Sequence, residues 1–317
     1  MAHLFSPITI AGRTLRNRIV MAPSTSGYAS LDGFIGDALY EYYLARAHGG
    51  VGLIVTETAY IIPPDTRNTR AHIGIHSDLF IPGLSRFVKA LHGGKTTALV
   101  LLDAPASLAH LDTSTLQEAA ETMIRAAWRA YVAGFDGVML SSVDGGMLHQ
   151  LISPLSNRRN DQYGGAITNR LRLALEIIEG IRQWLGPRFI VGFRLIAEEF
   201  VPNGLTLQDA RLMAGRLAIT GVNLLDVMTD SRNEIKIARF PGWRIPLASS
   251  VKRVVPDVPI IGSGLLGDPL LANSVIQDGS VDLVMLGRSL RSNPYWAHIA
   301  RIVLESNTTP IPVSMLP

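Results

Sequence analysis

The chain has 317 residues, of which 47% are hydrophobic and 17% charged, and a formal net charge of +3. It contains no cysteine, which excludes disulfides, thiolate metal sites, iron–sulfur clusters and a thiol nucleophile. Basic residues are scattered rather than striped, which argues against nucleic-acid binding, and no apolar run approaches the roughly 18 residues of a membrane span.

The opening MAHLFSPITI lacks the charged-then-apolar order of a signal peptide, so the expected setting is the cytoplasm. Residues 8–15 hold two short β-type runs around Ala11-Gly12 and read as a hairpin able to plug the bottom of a barrel. A first strand at 19–21 ends in Ala22-Pro23-Ser24-Thr25-Ser26. A helix over 37–46 stops at Gly49-Gly50, with His48 favouring its C-terminus, and a second strand at 52–56 ends at Glu57-Thr58. Helix 80–91 precedes a third strand at 98–102, which ends at Asp103, read as a loop cap before Ala-Pro. Ser114 and Gln117 suggest a capping box for a long helix reaching about residue 132. The fourth strand is 135–141.

The second half repeats the alternation. Helix 169–184 leads to strand 189–194. Thr206 and Asp209 open a helix that ends near Gly221, and strand 224–228 follows. A short helical stretch at 245–254 precedes strand 258–261 and its Gly262-Ser263-Gly264 loop. Asp268 with Pro269 marks a helix start, and strand 281–286 runs into Gly287-Arg288. Eight strand-like runs, each followed by a helix, predict an α/β fold, a (β/α)8 TIM barrel with an N-terminal β-hairpin. No composition break marks a linker, so 1–317 reads as a single domain.

Chemistry is expected where the strands end. After the fourth strand come Ser141, Ser142, Asp144, Gly145 and Gly146, then a long polar segment in which Arg158, Arg159, Asp161 and Tyr163 would hold the loop together. Gly264, Gly287 and Arg288 sit where such barrels bind phosphate, since glycine lets amides approach an anion and a guanidinium adds a charged fork. Glycines that merely end strands satisfy the same pattern. No His/Asp/Glu spacing matches a metal motif.

The stretches LFSPITIAGRTLRNRIVMAPS, YYLARAHGGVGLIVTE, AGFDGV, LHQLISPLSNRRNDQYGGAITNR, GFRLIAEEFVPNGLT, GVNLLDV and DLVMLGRSLRSNP occur in an order that resembles the old yellow enzyme family of FMN-dependent oxidoreductases, over nearly the full length. The resemblance implies FMN across the barrel mouth, with NADH or NADPH as electron donor and a small-molecule substrate; a homo-oligomer stays open. By resemblance, Pro23, Ser24 and Thr25 lie beside the isoalloxazine ring and Thr58 at its edge. Arg194 lies near the pyrimidine side, where a cation stabilises the anionic reduced flavin, and Gly264, Gly287 and Arg288 hold the phosphate. An ion pair between Arg194 and Glu57, Glu198 or Asp226 would explain the arginine without any cofactor.

Three departures stand out. The family's His-x-x-His or His-x-x-Asn pair and its proton-donating tyrosine fall on Ser141, Asp144 and Gly146, and its third-strand glutamine has no counterpart between Leu91 and Leu116. An ionised Asp144 would repel an enolate-like transition state, so the pocket reads as one for cationic substrates such as amines, or one using Asp144 as general base. Tyr28 or Tyr60 would have to replace the missing acid. His149 reads as structural, and Asp144 before Gly145-Gly146 equally fits a plain turn. A flavin-assisted or flavin-free isomerase or lyase, and a non-catalytic relative, are the alternatives.

Overall fold

The computed structural model describes residues 2–63, 72–110, 112–230 and 237–308. β1 (Ile8–Ile10) and β2 (Arg13–Leu15) form the antiparallel hairpin, joined by Ala11 and Gly12, both at positive φ as a two-residue hairpin turn requires. Then follow β3 (Ile19–Met21), α1 (Asp37–His48), β4 (Leu53–Tyr60), β5 (Ile73–Gly74), α2 (Ile81–Gly93), β6 (Thr97–Asp103) and α3 (Thr113–Ala133). β7 (Gly137–Ser141) leads to α4 (Met147–Ile152), α5 (Ile167–Arg170), α6 (Arg172–Leu185), β8 (Ile190–Glu198), α7 (Leu207–Thr220) and β9 (Leu224–Thr229). The chain continues through α8 (Ile245–Lys252), β10 (Ile260–Gly262), α9 (Pro269–Gln277), β11 (Leu283–Leu286), α10 (Arg288–Ser292) and α11 (Trp296–Thr308).

The strands β3, β4, β6, β7, β8, β9, β10 and β11 pair in parallel in that order, and β11 returns to β3, closing an eight-stranded (β/α)8 barrel. β5 adds to β4 outside the ring. Because strand side chains alternate faces, each strand feeds two cores. Val20, Leu53, Val55, Leu99, Met139, Ile190, Leu224, Ile261 and Leu283 fill the barrel interior, and Ile10 and Leu15 of the hairpin join them, plugging the bottom as expected. Ile19, Ile54, Val100, Val138, Val191, Leu225 and Val284 face outward against the helices. Each fully buried side chain of this kind contributes about 1.5–3 kcal/mol relative to exposure.

Local sequence signals set the helix starts. Thr206 and Asp209 form the reciprocal capping box on α7, and Asp268 caps α9 ahead of Pro269. The start of α3 corrects the Ser114–Gln117 capping box. Asp112 is the N-cap, its Oδ1 accepting from the Thr115 amide at 2.8 Å, while the Ser114 hydroxyl donates to the same oxygen at 2.9 Å. A carboxylate outcompetes a hydroxyl for an orphan amide because the bond is charge-assisted. β4 and β8 also run past the predicted ends at 56 and 194, to Tyr60 and Glu198, because their terminal polar residues face the barrel mouth instead of leaving the sheet.

Candidate functional site

The interior rows continue to the C-terminal mouth with their period of two. On β6, Leu99 and Leu101 point inward and Asp103 comes next; on β7, Met139 is followed by Ser141. Register pairs Ser141 with Arg194 and Arg194 with Asp226, so these side chains share one level across β7, β8 and β9. Above them lies a cavity of about 670 Å³. Its wall includes the predicted Pro23, Thr25, Thr58, Ser141, Asp144 and Arg194, together with Tyr60, His72, Asp103 and Gly146.

Not every predicted residue reaches it. Tyr28 is 51% exposed and packs on Tyr42 at 5.5 Å between ring centroids, away from the cavity wall. Tyr60 does line the cavity, edge-on to His72 at 4.6 Å. Ser24 is half-buried beside the wall without forming it. Gly264, Gly287 and Arg288 stand beyond the ends of β10 and β11, outside the cavity wall.

Arg194 is 5% exposed and its Nε lies 2.8 Å from Asp226 Oδ2, which is the interior ion pair anticipated as an alternative to a cofactor role. The approach is off-axis, so neither atom has an aligned hydrogen bond among the described residues. Burial pushes the Asp226 carboxyl up, only partly offset by Arg194 and Arg244. Glu57 is also raised by burial; its Oε2 accepts from the Ser26 amide at 2.9 Å and its Oε1 is buried without a hydrogen-bond partner among the described residues.

The cavity fits a flavin ring. It has the volume, two threonine hydroxyls that make no hydrogen bond among the described residues, and the Arg194 guanidinium on its wall. Beyond β11, Gly287 caps α10 without a side chain over its first amides, and the Arg46 guanidinium fixes the Leu290 and Arg291 carbonyls at 3.0 Å each. Arg244, which the sequence reading did not single out, donates to Thr229 Oγ1 at 2.9 Å and Ser263 Oγ at 3.1 Å, adding a second cation beside Gly264.

Asp103 is the other residue the sequence reading undervalued. Its Oδ1 does accept from the Ala104 amide at 2.8 Å, as a loop cap would. The same carboxyl also forms cavity wall, packed over Gly146, where an added Cβ would fall on it. Burial, with the Asp144 carboxylate nearby, raises Asp103 to about 7 against the opposing Ala104 hydrogen bond and Arg194 charge. A raised carboxyl favours the fold when protonated, so this contribution is present below about pH 4 and lost as pH climbs through about 7. Asp103→Asn is therefore expected to match the parent in denaturant stability near pH 4 and to exceed it above pH 7. The ceiling of that gain is about 4 kcal/mol, reduced by water reaching the cavity.

Asp144 and Gly145 both have positive φ, at 59° and 87°, and turn the chain from β7 into α4. His149 holds that turn. Its Nδ1 accepts from the Gly145 amide at 3.0 Å, which leaves the hydrogen on Nε2 to reach Glu199 Oε1 at 3.2 Å. Glu199 takes two further donors, the Ser153 hydroxyl at 2.8 Å and the Leu205 amide at 2.6 Å. Burial would raise this carboxyl, yet these bonds hold it below its ordinary value. Asp230 comes within 4.8 Å of the pair. With Nε2 carrying its hydrogen, the group is arranged as a hydrogen-bonded latch rather than as metal ligands.

The polar segment after α4 is scaffold. Asn157 Nδ2 donates to the Leu151 and Tyr163 carbonyls, Arg159 pairs with Asp161, and the Tyr163 hydroxyl reaches Glu176 at 2.9 Å. Arg159 holds the Asp161 carboxyl down to about 2.

The family model for the NADH:flavin oxidoreductase / NADH oxidase family matches residues 3–110 and 103–307. The chain is 33% identical to an NADH oxidase of Thermoanaerobacter brockii over 94% of its own length and 50% of that protein, so it spans half of that relative. It is 33% identical to an NADPH dehydrogenase of Geobacillus sp. (strain WCH70), covering 94% of this chain and 93% of that one. For an NADPH dehydrogenase of Bacillus subtilis (strain 168) the figures are 32%, 98% and 97%. Among solved structures, a morphinone reductase variant in complex with tetrahydroNAD superimposes with a TM-score of 0.79 at 24% identity, covering 96% of this chain and 91% of that one. A 2-naphthoyl-CoA reductase complex gives 0.86 at 20%, covering 96% and 52%. No helix among the described residues is long and apolar enough to cross a membrane. On these matches and the flavin-sized cavity at the mouth of its barrel, the chain belongs to the NADH:flavin oxidoreductase / NADH oxidase family, the old yellow enzyme family of FMN-dependent oxidoreductases.

Proposed function

We propose that this oxidoreductase exchanges hydride between FMN and a small cationic nitrogen compound, an amine or its iminium, with NAD(P)H as the other redox partner. Bound FMN supplies the two-electron hydride chemistry. Thr25 and Thr58 would hydrogen-bond the ring edge, with Pro23 and Ser24 beside it. Arg194, fixed by Asp226, would set positive charge under the pyrimidine side, and Gly264, Gly287 and Arg288, with Arg244 nearby, would hold the phosphate. Asp144 is the charge partner of the substrate cation. Ser141 shapes the floor, its hydroxyl accepting from the Val143 amide at 3.4 Å.

The observation that carries this reading is the pair of carboxyls, Asp103 and Asp144, on the same wall as Ser141 and Gly146. By resemblance, donors to a carbonyl or nitro oxygen belong on this wall. A carbon doubly bonded to cationic nitrogen is already electrophilic and needs no such donors, whereas carboxylates stabilise its charge. The test is ligand perturbation of the FMN spectrum by tetramethylammonium and by benzoate. Tetramethylammonium is expected to perturb it, and Asp144→Asn to weaken that binding about tenfold, an effect of ~1.4 kcal/mol. Perturbation by benzoate alone would exclude a cationic substrate.

A further inference from the structure

We propose that Asp103 is the residue that exchanges a proton with the substrate in this cavity, a role no sequence motif assigns to it. The argument begins with space. Position 146, where the resemblance places a proton-donating tyrosine, is glycine, and the Asp103 carboxyl packs directly against its Cα, in the volume that any side chain there would enter. The acid therefore stands where a side chain at position 146 would begin, on the same stretch of cavity wall.

Orientation follows from the hydrogen bonds. Oδ1 is tied to the Ala104 amide at 2.8 Å, and Oδ2 has no hydrogen-bond partner among the described residues. A carboxylic acid so held keeps its proton on Oδ2, because Oδ1 is already an acceptor. The mount is rigid: Ala104 is itself fixed to α4, its carbonyl accepting from the Met147 amide at 3.0 Å. Charged and titratable groups face Asp103 from each neighbouring element, Asp144 from the turn before α4, Arg194 from β8, and Tyr60 and His72 across the cavity. Burial and the Asp144 charge raise the acid while Arg194 opposes them, leaving it near neutrality, where one carboxyl can both give and take a proton.

The role rests on the nitrogen substrate proposed above. In the reducing direction bound FMN would supply the hydride that forms a C–H bond at the iminium carbon, the C=N π bond becoming the nitrogen lone pair. The Oδ2–H bond then breaks and its proton adds to that lone pair, giving an ammonium ion and the Asp103 carboxylate, which solvent reprotonates. NAD(P)H is oxidised overall. The oxidising direction reverses each step, with the carboxylate first removing the ammonium proton.

Two measurements test this. The first is pH-difference infrared spectroscopy on FMN-free and FMN-loaded protein, which needs no turnover. A carboxylic acid carbonyl band titrating near neutral pH is expected in the parent, absent in Asp103→Asn and displaced in Gly146→Ala, whose new methyl must push the carboxyl aside. The second is anaerobic bleaching of bound FMN by benzylamine as a function of pH. The parent rate is expected to follow the same titration, and both variants to lose the inflection and about 100-fold in rate. If no band near neutrality depends on residue 103, or if Asp103→Asn keeps the pH inflection, the assignment is overturned. Tetramethylammonium has no proton to exchange, so its binding reports on the substrate reading alone and the infrared band on Asp103 alone.

Discussion

Replacing Arg194 with methionine is expected to cost about 3–5 kcal/mol of folding stability, measured by denaturant unfolding near neutral pH, and to abolish FMN retention on gel filtration. Asp226 is fully buried, and Arg194 is the cation 2.8 Å from its carboxyl. Taking away one member of a buried pair strands the other charge, and of the two cations that offset the burial of Asp226 it leaves Arg244 alone. The double variant Arg194→Met/Asp226→Leu separates the two effects. It removes both charges together and is expected to recover most of the stability, because an apolar pair of similar volume is tolerated in such sites. It should not recover FMN, since the guanidinium is what would face the ring. Recovery of both would make Arg194 a purely structural residue.

The second large effect is expected at His149. His149→Ala should destabilise the protein by about 3 kcal/mol, with loss of order concentrated in the turn from β7 to α4, read by amide hydrogen exchange. The imidazole is 1% exposed and joins the Gly145 amide to Glu199, so its loss frees the turn that presents Asp144 and leaves a buried carboxyl short of a donor. There is a pH signature as well. Glu199 is held below its ordinary value, so its contribution is present above the unfolded value near 4.5 and lost as pH falls through the lower folded value. The variant, lacking that depression, should show a flatter loss of stability on acidification than the parent. An unchanged acid limb would mean that Glu199 is satisfied without the histidine.

The barrel was legible in the chain because apolar runs of strand length recur with glycine and turn residues between them. Where the reading stopped short, the cause is local. It ended strands at the first polar residues of TETAY and RLIAE, yet in a barrel the polar end of an inward row is still strand, and it is where the site begins. Asp103 was readable as a cap, and it is one. The second role proposed for it depends on the room left by Gly146, more than forty residues later at the start of α4, which no window along the chain can reveal. Tyr28 illustrates the reverse case: offered with Tyr60 as a replacement for the missing acid, it does not line the cavity, and its ring packs on Tyr42 instead. Arg244 in PGWRIP carried no motif at all, and its place between Thr229 and Ser263 is set by tertiary packing alone.

The most direct test of the account is an anaerobic titration of the purified chain, first with FMN and then with NADH or NADPH, followed by absorbance. Stoichiometric uptake of FMN with a perturbed flavin spectrum, and bleaching of that spectrum by the nicotinamide, is the predicted result. A chain that stays colourless in excess FMN while remaining folded would contradict it.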